Sequence, residues 1–283
     1  DGLELRPADR WILTRLNAVV ASVRDHMEGF RFNEAAQELY QFTWRRFCDW
    51  YLELAKGPLN EGGEARRTTQ KVLVVVLDHI LRALHPFMPF VTEEVWQRLR
   101  PFLPTPASHI VTAPYPCTSG IPRFDDEADS MDRVLDVIGA IRTVRSQTCV
   151  PPSESIAALL RTTDVTVVER LAPHADAIRR LARLSEWSVL PTARRPEGAA
   201  VAVLPFGECY VTVGVERIEA EKGRLGKNQD KVARELEAVR RKLGNEAFVA
   251  RAPAEVVAAE KDKALELEAM AVRIGDALKA LQD

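Results

Sequence analysis

The chain has 283 residues, of which 46% are hydrophobic and 28% charged, and its formal net charge is −2. This length predicts about two or three domains, and the composition is typical of a soluble globular protein with ample core material. No aliphatic stretch approaches the roughly 20 residues that span a bilayer, so we expect a cytoplasmic protein without membrane contact. A near-neutral charge also means that any nucleic-acid role must depend on local basic patches.

Cysteine and histidine spacing gives no sign of a metal site. Cys48, Cys117, Cys149 and Cys209 are isolated, so no pair has the spacing that zinc sites use, and the five histidines are equally scattered. We expect all four cysteines to be reduced and structural. The sequence also contains no metalloprotease, nucleophile-elbow, dinucleotide-binding or P-loop motif. We therefore expect no catalytic residue and no metal ligand in this chain.

Hydrophobic residues at helical spacing predict five amphipathic helices within residues 1–150. The first starts after Pro7, and the second starts at Asn33 and ends at Gly57-Pro58. A third helix precedes the proline-rich stretch 85–90, a short fourth helix follows Thr92, and the fifth covers about 127–147. Five helices joined by short links predict an α-helical bundle.

The pattern becomes mixed after Pro151-Pro152. Residues 156–160, 200–204 and 209–213 read as strands, and residues 175–184 between them read as a helix. We therefore expect a small α/β linker domain over residues 151–213.

Seven-residue spacing marks the last part of the chain. Ile218, Leu225, Val232 and Val239 repeat at this interval, and after a loop near Gly244 a second series does the same. That second series is Leu267, Ile274 and Leu281. Two heptad helices joined by a short loop predict an antiparallel coiled-coil hairpin over residues 214–283. The predicted fold class is thus mainly α.

Several segments of the first half carry a specific resemblance. They are residues 9–13 (DRWIL), 30–36 (FRFNEAA), 47–53 (FCDWYLE) and 84–94 (LHPFMPFVTEE). They resemble the anticodon-binding domain of class I aminoacyl-tRNA synthetases. Residues 243–249 (LGNEAFV) and 252–257 (APAEVV) are similar to the hairpin turn of the C-terminal coiled coil in the valyl-tRNA synthetase family.

This resemblance implies a role in protein biosynthesis. A valine–tRNA ligase couples ATP, with Mg, to the activation of valine and its transfer to tRNA-Val. The nucleotide-binding signatures of class I enzymes do not occur in this sequence, and the editing domain is missing. We therefore expect a tRNA-binding C-terminal fragment, or a stand-alone relative, that binds no cofactor of its own. The family also implies a monomer.

Two sets of residues are candidates for contact with the anticodon stem-loop. Trp44, Arg45 and Arg46 are consecutive, so they cannot all face the core of a helix, and aromatic and arginine side chains suit stacking and phosphate pairing. The family resemblance adds Leu52 and Lys56, farther along the same helix. Arg142 and Arg145, near the end of the fifth helix, are candidates for phosphate contact, although arginines at a helix C-terminus are also favourable without RNA.

Basic residues cluster around the predicted hairpin tip. Because the family's arm reaches the outer corner of tRNA, they are candidates for corner contact; they are Arg240, Arg241, Lys242, Arg251, Lys261 and Lys263. Acidic residues such as Glu266, Glu268 and Asp276 lie toward the base of the arm. A solvated charged face is the alternative interpretation of this cluster. For the whole chain, the alternative is a non-catalytic coiled-coil interaction module whose bundle binds another protein.

Overall fold

The computed structural model describes residues 4–104, 107–245 and 254–282. The chain divides into two compact units, Asp1–Leu135 and Asp136–Asp283. The predicted domain limits at 150/151 and 213/214 stay a prediction.

The first unit is helical. Helix α1 spans Pro7–Glu28, α2 spans Phe32–Gln41, a π-helical segment spans Phe42–Tyr51, and α3 spans Leu52–Glu61. Helices α4 (Gly63–Leu84) and α5 (Pro89–Leu99) follow, and α6 (Asp125–Gln147) contains the division between the units. Residues at helical spacing in α1, including Trp11, Ile12 and Leu16, are almost fully buried. The α-helical bundle is confirmed in the first unit.

The second predicted helix differs from expectation in two ways. It does not end at Gly57-Pro58, because α3 continues through Pro58 to Glu61. Proline removes one backbone donor. Pro58 lies in the last turn of α3, where few backbone hydrogen bonds of the helix are left to lose. Its middle also adopts the wider π-helical form over ten residues, a rare conformation that is often found at functional sites.

Buried polar contacts fix how the helices of this unit pack. The Trp96 indole N–H donates to Asp78 Oδ1 at 2.9 Å, which joins α5 to α4. The other carboxylate oxygen of Asp78 accepts from Arg82 at 2.6 Å. Leu81, Trp96 and Ile110 form a small apolar cluster beside these contacts. The proline-rich region 101–124 is therefore anchored at Ile110 on the helices that precede it.

The second unit contains a four-stranded sheet of order β2-β1-β4-β3. The strands are β1 (Ile156–Arg161), β2 (Leu184–Leu190), β3 (Ala199–Leu204) and β4 (Gly207–Thr212). Strand β1 pairs in parallel with β2 and antiparallel with β4, with Leu159 opposite Tyr210. Helices α7 (Val165–Leu171) and α8 (Ala175–Ala182) form the crossover from β1 to β2. The α/β character is confirmed, but the sequence did not predict β2.

Two long helices complete the second unit. Helix α9 spans Val215–Leu243 and α10 spans Ala254–Gln282, and the two pack together along a heptad seam. The seam residues Ile218, Leu225, Val232 and Val239 of α9 are all buried, as are Leu267, Ile274 and Leu281 of α10. The coiled-coil hairpin is confirmed, and α9 is continuous through Gly223 and Gly226.

The cysteines are free thiols with different surroundings. Cys209 is fully buried in β4, and burial raises the pKa of its thiol to about 12. Cys48 is half-buried, whereas Cys117 and Cys149 are exposed. Burial therefore supports a structural role for Cys209 and in part for Cys48, and for the exposed Cys117 and Cys149 this role stays a prediction. None of the helices in the described ranges is long and apolar enough to cross a membrane.

Candidate nucleic-acid interface

The π-helical segment carries the candidate residues Trp44, Arg45 and Arg46 on its surface. All three side chains are exposed, as their consecutive positions predict. Phe47 and Tyr51 are buried and anchor the opposite side of the segment, with their rings stacked at 6.1 Å. Arg45 and Arg46 make no hydrogen bond or ion pair within the described ranges. Both guanidinium groups are thus free to bind an anion.

Tyr40 extends this surface, although it was not among the residues predicted from the sequence. The Tyr40 and Trp44 rings are stacked, with centroids 6.4 Å apart and planes within 2° of parallel. More than half of each side chain is exposed, 58% for Tyr40 and 57% for Trp44. Their spacing of four residues is the signal that would have found the pair, because residues four apart lie on one helix face. Exposed aromatic rings of this kind are the platforms on which unpaired bases stack.

Leu52 and Lys56 lie in α3, after the π-helical segment. Leu52 is 39% exposed, which is unusual for a leucine beside buried Tyr51. Lys56 is exposed and forms an ion pair with Glu53 one turn earlier. An exposed pair of this kind contributes at most about 1 kcal/mol, so it does not prevent the ammonium group from binding phosphate.

Arg142 and Arg145 belong to the second unit, and the structure distinguishes them sharply. Arg142 is exposed and donates to the Leu181 carbonyl at 3.0 Å. Arg145 is only 7% exposed, and its guanidinium donates to the carbonyls of Pro151 at 2.8 Å and Glu154 at 2.7 Å. Burial lowers the pKa of Arg145. Its guanidinium holds the segment that leads into β1, so we assign it a structural role and omit it from the RNA contacts proposed below.

Three basic residues end α9. Arg240 pairs with Glu268 at 2.7 Å and Lys242 with Glu260 at 3.0 Å, so both ion pairs cross from α9 to α10. Arg241 instead pairs with Glu237 on its own helix at 2.8 Å. Arg240 and Lys242 therefore also help to set the register of the hairpin, a role that was not predicted from the sequence.

The remaining corner candidates follow the hairpin loop. Lys261 and Lys263 are exposed on α10 and make no hydrogen bond or ion pair within the described part of the chain. Arg251 lies outside the described residues. Across residues 4–104, 107–245 and 254–282, no three His, Cys, Asp or Glu side chains are grouped in a way that could hold a metal ion.

Comparison with known families adds independent findings. Residues 9–160 match the family model described as the anticodon-binding domain of tRNA ligase. Residues 217–282 match the model described as the valyl tRNA synthetase tRNA binding arm. The first match covers the first unit and continues as far as β1, and the second covers nearly all of α9 and α10.

Individual relatives agree with these matches. The chain is 44% identical over 267 residues to a valine–tRNA ligase of Geobacter sulfurreducens, covering 94% of this chain and 30% of that protein. It is 42% identical to the valine–tRNA ligase of Enterococcus faecalis, covering 90% of this chain and 29% of that protein. The enzyme of Geobacillus stearothermophilus is 40% identical, with the same coverage of 90% and 29%. The chain thus spans about 30% of the length of these curated relatives.

Proposed function

The chain belongs to the family of tRNA ligases that carry this anticodon-binding domain, and from that premise we propose that it is the tRNA-binding C-terminal part of a valine–tRNA ligase. In this proposal the helical first unit binds the anticodon stem-loop of tRNA-Val. The coiled-coil hairpin of α9 and α10 binds the outer corner of the same tRNA. The complete cytoplasmic enzyme acts as a monomer, and its other domains use ATP and Mg to activate valine.

The surface around the π-helical segment is the observation that carries the anticodon assignment. It presents the stacked Tyr40 and Trp44 rings together with the unpaired guanidinium groups of Arg45 and Arg46. Single-stranded RNA loops are bound by this combination, because bases stack on aromatic rings and phosphates pair with arginine.

The remaining proposed contacts follow from exposure and charge. Leu52, Lys56 and Arg142 are exposed and join the anticodon set. At the corner we propose Arg240, Arg241, Lys242, Lys261 and Lys263, together with Arg251. Of these, Lys261 and Lys263 are the strongest candidates. Neither lysine has an ion-pair partner within the described ranges, so RNA can bind them without breaking an existing ion pair.

A binding experiment with matched variants tests the anticodon assignment. The wild-type chain is titrated into fluorescent tRNA-Val and into its isolated anticodon stem-loop. The Arg45→Gln, Arg46→Gln double variant should weaken both complexes at least about tenfold, or about 1.4 kcal/mol.

The control is Arg24→Gln with Arg98→Gln, which removes two exposed arginines from α1 and α5 and changes the net charge equally. It should bind RNA as the wild type does. Equal losses in both double variants would mean that only net charge matters, and would refute a localised anticodon site.

A further inference from the structure

The connection between the sheet and the coiled-coil hairpin is short and contains a glycine. Strand β4 ends at Thr212 and α9 begins at Val215, so only Val213 and Gly214 join them. Gly214 has a φ of +97°, in the left-handed region that favours glycine, and an added Cβ would meet nothing within 4 Å. The backbone N–H groups of Val213 and Gly214 both donate to the Gly198 carbonyl, at 2.9 and 3.0 Å. These bonds hold the connection beside β3 and leave the direction of α9 to other contacts.

An ion pair in the first turn of α9 supplies such a contact. The Arg217 guanidinium donates to both carboxylate oxygens of Glu154, and each N–O distance is 2.8 Å. Glu154 lies just before β1, so the pair links α9 to the sheet. Arg217 also donates to the Val213 carbonyl at 3.2 Å. A bidentate pair fixes the relative orientation of its partners as well as their separation, because both groups are planar.

The carboxylate partner is itself held in place by a buried arginine. The Glu154 carbonyl accepts a hydrogen bond from the Arg145 guanidinium at 2.7 Å, and the Glu154 N–H donates to the Pro151 carbonyl at 3.1 Å. Exposed ion pairs usually contribute little, partly because two mobile side chains must be ordered. Here the backbone of Glu154 is already fixed, so less ordering is needed when Arg217 binds its side chain.

The length of α9 magnifies any change of direction at its base. Packing of α10 against β3 is one attachment of the hairpin, and the ion pair is a second, beyond β4 in the sheet. The 29 residues of α9 extend for about 43 Å, so a rotation of about 10° at Gly214 would move its far end by roughly 7 Å. Hydrogen bonds tolerate changes of only about 0.5 Å. The place of the hairpin tip thus depends on contacts at its opposite end.

We propose that Glu154 and Arg217 are positioning residues, which set the direction of the hairpin so that its tip meets the same tRNA that the first unit binds. The proposal rests on the proposed tRNA-binding function, and neither residue itself contacts RNA. Simultaneous binding at two sites raises affinity only if the connection between them permits a compatible geometry. A loosened base spreads the tip over a larger volume, which lowers its effective concentration at the RNA.

Distances within the second unit test the structural part of the proposal without RNA. Spin labels are attached at Ala238→Cys, near the end of α9, and at Glu186→Cys on β2, and both positions are exposed. Cys48, Cys117 and Cys149 are first replaced by serine. Pulsed electron–electron resonance on the whole chain then gives the distribution of distances between the labels.

The single variants Arg217→Gln and Glu154→Gln should each widen this distribution or shift its mean by roughly 5 Å or more. The charge-exchanged variant, Glu154→Arg with Arg217→Glu, should restore a narrow distribution because it forms the ion pair again. The control is Lys222→Gln, which removes a cation that pairs with Glu219 on α9 itself, and it should behave as the wild type. Unchanged distributions in both single variants would overturn the proposal.

Affinity for whole tRNA-Val and for its isolated anticodon stem-loop tests the functional part. Both single variants should bind the whole tRNA at least about fivefold more weakly and the stem-loop equally well, because the stem-loop lacks the outer corner. Glu154→Gln is the decisive variant, because it removes a negative charge. An effect of charge alone would make this variant bind RNA more tightly than the wild type. Circular dichroism checks that every variant keeps its helical content.

The possible failures separate this proposal from the proposed function. Tighter or unchanged binding of the whole tRNA by Glu154→Gln would overturn the positioning role, since charge would then explain any effect of Arg217→Gln. Equal losses for the whole tRNA and the stem-loop would also overturn it, because the defect would not concern the hairpin. If the wild-type chain binds no tRNA at low salt, the proposed function is wrong, and the distance distributions alone decide whether the ion pair directs the hairpin.

Discussion

The Tyr51 hydroxyl donates a 2.6 Å hydrogen bond to Asp9 Oδ1, and both side chains are buried. This bond joins the end of the π-helical segment to the first turn of α1. Burial, followed by the charge of Asp9 and this hydrogen bond, raises the pKa of Tyr51 far above its ordinary value. The phenol therefore stays protonated and remains a donor. The surface that carries Trp44, Arg45 and Arg46 is thus built on a rigid internal contact.

Removing the Tyr51 hydroxyl should destabilise the first unit without changing its surface. The Tyr51→Phe variant leaves a buried carboxylate oxygen without its donor, so we expect the free energy of unfolding to fall by about 1–3 kcal/mol. Urea denaturation measures this change. The control is Tyr40→Phe, which removes the same group from an exposed ring and should stay within about 0.5 kcal/mol of the wild type. Equal changes in unfolding free energy for Tyr51→Phe and Tyr40→Phe would show that the hydrogen bond to Asp9 is not stabilising.

Glu93 should make the first unit acid-sensitive. Its carboxylate accepts hydrogen bonds from Gln97, His109 and the Ile110 backbone N–H. The Gln97 bond is the largest cause of a pKa lowered from 4.5 to about 2. A lowered pKa in the folded state stabilises the protein above the unfolded value, and this stabilisation is lost as pH falls from 4.5 toward 2.

The Glu93→Gln variant tests this linkage. It should be roughly 1 kcal/mol less stable at neutral pH and should lose less stability than the wild type between pH 4.5 and 2. Thermal unfolding across that pH range measures both effects. Gln97→Ala should give an intermediate pH dependence, because it removes one donor of the three. A Glu93→Gln variant with the acid sensitivity of the wild type would refute the assignment.

Much of the fold follows from hydrophobic spacing, and the failures have physical causes. The heptad series of α9 and α10 is buried as expected, because a seven-residue repeat leaves only one stripe for helix packing. Strand β2 was not predicted because it is an edge strand with several exposed or half-buried residues, so its alternation is weak. The π-helical form of 42–51 was also missed, since tertiary contacts rather than local spacing select it.

The candidate interface was only partly predictable, for a related reason. Exposure of Trp44, Arg45 and Arg46 follows from their consecutive positions. By contrast, the structural role of Arg145 depends on carbonyl groups of Pro151 and Glu154, which the chain brings back to it after α6. Backbone acceptors leave no mark in the side-chain pattern, so the sequence alone did not separate Arg145 from Arg142.

Arg145 should stabilise the protein through the hydrogen bonds of its guanidinium group rather than through its positive charge. In Arg145→Lys the positive charge is kept, but the planar group that reaches several carbonyls is lost. We expect a loss of about 1–3 kcal/mol in unfolding free energy. Arg180→Lys, at an exposed position of α8, is the matched control and should change stability by less than about 0.5 kcal/mol. If Arg145→Lys left the free energy of unfolding unchanged, the buried hydrogen bonds of Arg145 would contribute little to stability.

The glycines of α9 should be replaceable with a gain in stability. A Cβ atom at Gly223 or Gly226 would meet nothing within 4 Å, and helical glycine costs about 1 kcal/mol relative to alanine. Each alanine variant should therefore raise the melting temperature. Gly198→Ala should instead lower the melting temperature, because φ is +71° and the added Cβ would lie 2.8 Å from the Val215 nitrogen. Lower melting temperatures for the α9 variants would show that these glycines have a packing role.

The contribution of the exposed aromatic surface to anticodon binding tests the central claim most directly. The isolated anticodon stem-loop of tRNA-Val is titrated, at one fixed salt concentration, with the wild-type chain and with the Trp44→Ala variant. Because each base that stacks on an aromatic ring contributes about 1–3 kcal/mol, we expect the variant to bind at least about fivefold more weakly. Equal affinity of the two chains for the stem-loop would contradict this claim.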